Sequence, residues 1–538
     1  MKLKNISLNR RQFLLHSSAL AAACAGSWQI WRKIRKPPPI KVNRVGLPLG
    51  HILRNGGFET LDLPPTRCNT LILGSGAAGL SAVWYLAKYG HRDILLAEGF
   101  ERNGNNAAFH YRDVSAPSGA HYLALPSRES VYVREMLHDM GIMDGGGSFN
   151  EEDLVYAPQE RLLRQGCWHD RLLPEQDADS RRFFKLTNYL KTAHGRDGKR
   201  FFVIPIAECS KDDIWRRLDK ITFEQWLRRE NYRSETLLWY LDYCCRDDYG
   251  QGIGQVSAFA GLHYFCARGN MEDTVLTWPD GLAHLSEKIR KISGMKEIEK
   301  PPKDKYWKFG RPVAWNASAV KVEERDNGVL VWLRDNADGE TRTVLADRAI
   351  CAMPLMVASR VVVGDYGLPR PVYAPWLVGN FVLNRFPDEI GGSETAWDNV
   401  VYGSRQLGYV AAGNQFIRMA KPERTVFTAY AALNHDEPQA IRKWLMKADD
   451  ETLAGYAAQD LLAAYGDTFW HCVEAVDLSV RGHAMSVPKP GYLSDAGLLQ
   501  LRRHDSRLLF AHGDLSAYSV FEEAVYWGAE AAKKVLRG

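Results

Sequence analysis

The feature that most constrains the fold of this chain is a short apolar strand that runs directly into a glycine-rich turn. The strand, residues 69–73, reads Asn-Thr-Leu-Ile-Leu, and residues 74–79 read Gly-Ser-Gly-Ala-Ala-Gly. A helical stretch to Tyr89 follows, and then a second apolar strand that ends at Glu98. Strand, glycine turn, helix, strand and acid in this order are typical of a βαβ unit that binds a dinucleotide.

Each part of this unit has a physical reason. The first glycine permits a tight turn, the second lets backbone N–H groups approach a pyrophosphate, and the third allows close helix–strand packing. The start of the helix favours phosphate charge. Glu98 is predicted to accept hydrogen bonds from a ribose, and its charge disfavours the 2′-phosphate of NADP. The contacts predicted from the turn are Gly74, Gly76, Ala77, Ala78 and Gly79.

The net charge of +5 arises in the first fifty residues. Ten of the 69 Lys and Arg residues lie there with no Asp or Glu, so the rest of the chain carries 59 basic and 64 acidic side chains. A nucleic-acid-binding protein is expected to carry its basic surface on the folded domain. The charge distribution therefore argues against nucleic acid as a partner.

The basic N-terminus resembles a twin-arginine export signal. Residues 8–15 read Leu-Asn-Arg-Arg-Gln-Phe-Leu-Leu, and a weakly apolar run extends to about Ile30. The resemblance implies the twin-arginine export machinery as a partner, export in the folded state, and a periplasmic or cell-envelope location. Three fates of the leader stay open: cleavage within residues 21–25, lipid attachment at Cys24, and retention with membrane association. We predict a leader at residues 1–36 and a linker at residues 37–67.

The segment after Glu98 resembles flavin-containing amine oxidases and related desaturases. That family usually reads Glu-x-x-x-Arg-x-Gly-Gly-Arg, and Arg102 and Gly104 match this pattern. Asn105 and Asn106 stand where the family has its second Gly and its last Arg. The resemblance implies that Arg102 contacts the cofactor.

Three more segments agree with this resemblance. Residues 118–123 are similar to a Gly-(Gly/Ala)-x-Trp-Ile element that passes close to the flavin ring, and residues 277–282 are similar to a Pro-x-Gly-Gly loop. Residues 317–354 are similar to the second nucleotide-binding segment of the family, in which a valine contacts the adenine side. The implied FAD contacts are Gly119, Ala120 and Val320.

The end of the chain carries the most specific part of the resemblance. An apolar strand ends in Gly-Asp within residues 507–514, and a helix start follows at residues 519–528. In the family, the acid contacts the ribityl chain of FAD, and the positive end of the helix stabilises reduced flavin. Glu523 stands where the family has Gly. The FAD contacts implied here are Gly513, Asp514, Phe521 and Glu522.

The predicted fold class is therefore α/β, with an FAD-binding Rossmann-type domain of the glutathione-reductase-2-like kind and an α+β substrate domain. Both are built from discontinuous segments. FAD-binding segments are expected at residues 68–125, 276–355 and 506–538, and substrate-domain segments at residues 126–275 and 356–505. The nine cysteines show no CxxxxC pair of a disulfide reductase and no metal-like spacing, so no metal site is expected.

The substrate half departs from the family at its catalytic positions. The Lys of monoamine oxidases falls on Gly379 or Asn380 here, and one of their cage aromatics falls on Val520. No Cys lies near the closing motif, so a covalent flavin link is not supported. The residues expected to line the pocket beside the flavin are His121, Tyr518 and Trp278, of which His121 and Tyr518 are the catalytic candidates.

Three functions stay open. The leading hypothesis is an exported FAD-dependent oxidoreductase that transfers a hydride from an amine or a similar apolar C–H donor to flavin N5. The second is a flavin-dependent desaturase or isomerase of a lipidic or isoprenoid-like substrate, which a membrane-associated leader would suit. The third is a flavin-binding accessory protein without turnover.

Overall fold

The computed structural model describes residues 37–56, 58, 64–155, 158–173, 176–268, 274–302, 306–389, 394–415 and 422–538. The predicted leader, with its arginine pair and Cys24, lies outside the described residues. None of the described helices is long and apolar enough to cross a membrane.

The described chain contains strands that form two large sheets and two small ones. The strands are β1 (Ile40–Arg44), β2 (Thr66–Leu73), β3 (Ile94–Ala97), β4 (Ala108–Tyr111), β5 (Val114–Pro117), β6 (Tyr122–Ala124), β7 (Glu160–Arg164), β8 (Cys167–His169), β9 (Val275–Thr277), β10 (Lys296–Ile298), β11 (Val313–Trp315), β12 (Ala317–Arg325), β13 (Gly328–Asp335), β14 (Thr341–Cys351), β15 (Val362–Val363), β16 (Tyr373–Leu383), β17 (Asp398–Val401), β18 (Tyr409–Ala411), β19 (Thr425–Ala432), β20 (Val473–Ser486) and β21 (Leu508–Phe510).

Helices connect these strands and cover both large sheets. The α-helices are α1 (Leu47–Arg54), α2 (Ala77–Lys88), α3 (Val131–Asp139), α4 (Ala178–Leu190), α5 (Asp213–Arg216), α6 (Phe223–Arg229), α7 (Glu235–Tyr249), α8 (Ala258–Ala267), α9 (Ala283–Ile292), α10 (Leu355–Val361), α11 (Pro438–Lys447), α12 (Asp450–Ala457), α13 (Gln459–Tyr465), α14 (Ala496–Arg503) and α15 (Phe521–Arg537).

The first large sheet grows from the predicted βαβ unit. Its strand order is β10-β11-β3-β2-β14-β13-β12-β15, and β21 pairs with the free part of β14. Strands β2, β3, β11, β14 and β21 pair in parallel, as expected when helices cross between them. Along β2, Ile72 packs in the same apolar core as α2, α9 and α15, whereas Leu71 and Leu73 pack in the core beneath α10 and α14. We call this sheet and its helices the dinucleotide domain.

We call the second large sheet and its helices the substrate domain, after the role that the sequence predicts for it. Its strand order is β1-β20-β16-β19-β18-β17-β7-β8. Every residue of β16 is buried, because both faces of the sheet are covered. Trp376 and Val378 pack in the core beneath α6–α8, and Leu377 and Phe381 pack in the core beneath α11–α13.

Residues 40–54, which the sequence predicts as a linker, form a strand and a helix instead. β1 pairs in parallel with β20, with Val42 opposite Leu478. α1 then extends to the dinucleotide domain, where Leu53 packs against apolar residues of its sheet. A five-residue strand that gains its partner more than 400 residues later in the chain leaves little local signal in the sequence.

Candidate functional site

A cavity of about 920 Å³ is lined by residues of both domains. Ligand sites in proteins typically enclose about 300 to 1,000 Å³, so this volume suits a large cofactor together with a substrate. The carboxyl ends of β2 and β3 open into the cavity, where the glycine turn and Glu98 follow the strands. This is the edge of a parallel sheet at which ligands bind.

The glycine turn forms a backbone cradle at this edge. Gly74 has φ +108°, and a Cβ there would lie 3.1 Å from the carbonyl oxygen of Ala352. Gly76 begins α2 without a side-chain cap, and a Cβ there would meet no atom within 4 Å. The first N–H groups of α2 therefore lack side-chain partners and can donate to a phosphate.

Gly79 contributes to packing within the turn and not to the cavity wall. A Cβ at Gly79 would lie 1.8 Å from the carbonyl oxygen of Gly74, so any side chain there would collide with the turn. Gly79 does not line the cavity, whereas Gly74, Gly76, Ala77 and Ala78 do. Its role is the close packing of α2 against the turn.

Glu98 is buried at the cavity wall and is held by an arginine that sequence reasoning missed. Arg290 of α9 donates to both carboxylate oxygens of Glu98, at 2.7 Å and 2.8 Å. The same guanidinium donates to the side-chain oxygen of Asn103 from Nε at 3.0 Å. This bidentate pair fixes the orientation of the acid that the sequence predicts to bind a ribose.

Arg102 does not reach the cavity. Its guanidinium pairs with Glu287 at 2.9 Å and also with Glu297, and its side chain is 43% exposed. Asn105 and Asn106, which replace family residues, line the cavity instead. The contact implied by the family pattern is therefore not made by Arg102 in this chain.

Asp514 presents a carboxylate oxygen that has no partner. Its Oδ2 accepts hydrogen bonds from the Leu355 amide at 2.9 Å and from the Tyr373 hydroxyl. Its Oδ1 is buried and has no hydrogen-bond partner among the described residues. Burial alone would raise the pKa of Asp514, but the charge of His512 and these hydrogen bonds hold the pKa below its usual value.

Asp514 is among the residues that line the cavity, and an ionised, buried carboxylate oxygen without a partner is costly until it gains a hydrogen-bond donor. The hydroxyls of a ribityl chain are such donors. Gly513 lies beside Asp514 at the same wall, and Phe521 and Glu522 of α15 line it as well. The glycine cradle, Glu98 and the free oxygen of Asp514 together fit FAD.

Glu523 stands at the family Gly position but takes no part in the cavity. Its carboxylate accepts a hydrogen bond from the Ile206 amide at 2.6 Å and another from the Ser516 hydroxyl. Burial raises its pKa to about 7. This departure from the family pattern therefore serves the contact between α15 and the loop at residue 206.

His121 lies in an aromatic group next to the loop that contains Gly119 and Ala120. Its ring stacks on Tyr430, with ring centroids 4.5 Å apart, and lies 5.5 Å from Trp397. Burial lowers the pKa of His121 to about 3, so the ring is neutral. Gly119 and Ala120, which precede it, also line the cavity.

Tyr518, Trp278 and Val320 are not at the cavity wall. Tyr518 is buried and packs against Tyr249 and His263, with ring centroids at 5.6 Å and 4.9 Å. The Trp278 indole donates to Asp153 at 2.6 Å. Val320 packs beneath α1, and Ser318 and Ala319 line the cavity in its place.

Carboxylates that sequence reasoning missed line the cavity near His121. Asp247 and Asp248 end α7, and Arg268 follows α8. Arg268 pairs with Asp248 at 2.6 Å and donates to the Tyr122 hydroxyl at 3.3 Å. Burial, and then the charge of Asp248, raise the pKa of Asp247 to about 7. In the sequence, Asp247 and Asp248 could have been found as two adjacent acids near the end of an aromatic-rich helix.

The strand that aligns with the lysine strand of monoamine oxidases faces the cavity through other residues. Tyr373, Trp376 and Val378 line it, whereas Gly379 and Asn380 do not. The Asn380 amide donates to the carbonyl oxygen of Pro117 at 3.0 Å. Among the described residues, no group of three or more His, Cys, Asp or Glu could hold a metal ion.

Comparisons with known proteins agree with this architecture. Residues 72–140 match the sequence model of an NAD(P)-binding Rossmann-like domain. The comparison with curated protein sequences finds no match. Wild-type putrescine oxidase bound to putrescine is similar in structure, with a TM-score of 0.57, 14% identity, and coverage of 88% of this chain and 100% of that chain.

Two further solved structures have the same fold. Cyclohexylamine oxidase from Brevibacterium oxydans matches with a TM-score of 0.57 and 14% identity over 87% of this chain and 99% of that chain. A CLA-producing fatty acid isomerase from P. acnes matches with a TM-score of 0.57 and 15% identity over 86% and 97%. The predicted fold class is confirmed: the chain is a mixed α/β protein with a Rossmann-like dinucleotide-binding domain and the architecture of FAD-dependent amine oxidases.

Proposed function

We propose that this protein is an FAD-dependent oxidoreductase that oxidises an amine. The observation that supports FAD as the cofactor is the unpartnered, buried oxygen of Asp514, which belongs to the same cavity as the glycine cradle and Glu98. NAD would satisfy the cradle and Glu98, whereas the ribityl hydroxyls of FAD also satisfy Asp514. FAD, when bound, supplies a hydride acceptor for the C–H bond beside the substrate nitrogen.

The chain's own residues supply position and environment for this chemistry. The start of α15 borders the cavity, and its positive end favours negative charge on a reduced flavin ring. The rings of His121 and Tyr430 form an aromatic wall of the cavity, and Trp397 packs against His121. Because His121 is neutral, this wall does not repel a cationic substrate.

The carboxylates favour an amine over a lipid as the substrate. Asp247, Asp248 and Glu522 line the cavity, and Arg268 offsets part of their charge. Buried carboxylates are stabilised by a cation and are costly beside a hydrocarbon chain. We therefore prefer amine oxidation to isomerisation or desaturation of a lipidic substrate, although a fatty acid isomerase shares the fold.

The test is anaerobic reduction of the bound flavin across a substrate panel. Purified protein should be yellow, release FAD on denaturation, and bleach with one or more monoamines, diamines or polyamines. Bleaching by fatty acids or isoprenoids alone would favour a desaturase, and conversion of such a compound to an isomer without net bleaching would favour an isomerase. FAD binding with neither bleaching nor conversion of any compound would favour the accessory role. Colourless protein that contains no FAD and does not take it up would contradict all three.

We also propose export by the twin-arginine route, supported by the Arg10-Arg11 pair and the apolar run after it. This route carries folded proteins and so suits one that acquires FAD before export. Changing both arginines to Lys should leave the protein in the cytoplasm when cell fractions are compared by immunoblot. Unchanged recovery from the periplasm or envelope would contradict this assignment.

A further inference from the structure

Residues 40–54, which we call the strap, cross the cavity from one domain to the other. At one end, β1 belongs to the substrate sheet, and the Asn43 amide donates to Asp477 at 2.9 Å. The Arg44 guanidinium donates to the carbonyl oxygen of Ala448 at 3.0 Å. At the other end, α1 contacts α10 of the dinucleotide domain. The strap is therefore fixed at both ends by the folded protein.

α1 begins beside Phe100, which follows Glu98 in the chain, and ends beside β12. A Cβ at Gly46, which precedes α1, would lie 2.9 Å from the Phe100 ring, two residues after Glu98. At the far end of α1, Leu53 packs in the same apolar cluster as Val320 of β12. The helix therefore passes in front of the end of the cavity that Glu98 marks as the ribose position.

One face of α1 borders the cavity. Its lining residues follow a helical spacing, while Pro48 and Ile52 on the outer face are exposed. A Cβ at Gly50 would meet no heavy atom within 4 Å, so the protein leaves open space at this point of the wall. The residues of α1 that line the cavity are Leu47, Gly50, His51, Leu53 and Arg54, and of these Arg54 is also exposed.

The charges around the cavity give a second reason to connect the strap with the cofactor. Asn106 replaces the family Arg, and Arg102 is engaged by Glu287 and Glu297 outside the cavity. The strap brings Arg44 and Arg54 to the cavity wall. Arg44 also pairs with Asp450 at 3.5 Å, so the positive charge that the strap adds for a diphosphate comes mainly from Arg54.

We propose that the strap is a wall of the FAD site and closes its adenosine diphosphate end, with the Gly50 face of α1 against the nucleotide. This inference rests on the proposed function, because it assumes that the cavity holds FAD. It assigns a binding role to a segment that precedes the dinucleotide-binding unit in the chain. It also explains the open space at Gly50, which the nucleotide would fill.

The test is a graded substitution at Gly50 in the otherwise unchanged protein. Gly50→Ala and Gly50→Leu place increasing volume at this point of the wall, and the Cβ that both add would meet no protein atom within 4 Å. We expect the Kd for FAD, measured on the apo form by quenching of flavin fluorescence, to rise with side-chain size and at least tenfold for Gly50→Leu. The melting temperature of the apo form should stay the same or rise, since both residues favour helix more than Gly does.

Gly455→Leu is the matched control. Gly455 lies within α12, a helix of the same length, has open space at its Cβ position, and does not line the cavity. This variant should bind FAD as the unchanged protein does. Unchanged FAD affinity in Gly50→Leu would overturn the inference. If the KM for substrate rose in that variant while FAD affinity stayed the same, α1 would instead lie on the substrate path. Failure of the unchanged protein to bind FAD would overturn the proposed function and this inference with it.

Discussion

Replacing Arg290 with Met should destabilise the protein and weaken FAD binding, because it leaves Glu98 buried without its partner. Both side chains are 6% exposed, and the guanidinium donates to both carboxylate oxygens. Removing one member of a buried ion pair typically costs about 3–5 kcal/mol. We therefore expect the free energy of unfolding of the apo form to fall by this amount in urea titrations.

Arg102→Met is the matched control for this prediction. Arg102 also lies near Glu98, at 3.9 Å, but it is 43% exposed and its closer partners are on the surface. Exposed ion pairs contribute at most about 1 kcal/mol, so this variant should lose little stability. The Kd for FAD should rise in Arg290→Met and stay nearly unchanged in Arg102→Met. Equal losses of stability in the two variants, or a loss below about 1 kcal/mol in Arg290→Met, would refute the argument that this pair holds Glu98 in place.

Three further predictions concern the cavity. Asp514→Asn should raise the Kd for FAD by about 10- to 100-fold in fluorescence titrations, since a hydrogen bond to a charged group contributes about 1.5–3 kcal/mol; an unchanged Kd would contradict the ribityl assignment. Tyr518→Phe should leave kcat unchanged in steady-state assays, because Tyr518 lies outside the cavity wall, whereas His121→Ala should lower kcat. Burial raises the pKa of the Asp247 carboxyl to about 7. The folded protein therefore holds the carboxyl proton more tightly than the unfolded chain does, and the free energy of unfolding falls as pH rises from about 4 to 7. Asp247→Asn should therefore reduce the loss of melting temperature between pH 5 and pH 8 and raise the KM for an amine most strongly above pH 7; a pH profile equal to that of the unchanged protein would contradict this.

The sequence predicts the parts of the site that depend on the backbone. Gly74 and Gly79 are predictable because a Cβ at either position would lie too close to a backbone carbonyl oxygen, which restricts the residue type itself. Gly76 is predicted by the motif, since a Cβ there would meet no protein atom within 4 Å. Asp514 is predictable because it lies four residues after the end of β21, a strand whose position is fixed by its pairing with β14. In these cases, a local constraint and the functional position coincide.

The sequence does not predict parts that depend on the direction of a side chain. The family pattern places Arg102 near the cofactor, but Glu287 and Glu297 hold it outside the cavity. The arginine that does contact Glu98 is on α9, 192 positions away in the chain, in an amphipathic helix that offers no local mark of its role. An aligned motif predicts the path of the backbone reliably. The partner of each side chain, in contrast, depends on packing between segments that are distant in the chain.

The cavity joins two environments of opposite charge, and this division follows from the way the two domains meet. The wall formed by α1, α10 and α11 contributes cations to the cavity, namely Arg54, Arg360, Arg442 and Lys443. The wall at the ends of α7 and α8 contributes Asp247 and Asp248 against the single cation Arg268 among its described lining residues. A diphosphate is favoured at the first wall and an ammonium group at the second, so the same cavity would hold a dinucleotide and a cationic substrate in a fixed order. The net charge of −5 outside the first fifty residues does not show this separation of charge. It is a sum over the chain, whereas the two walls are formed by distant segments that only the fold brings together.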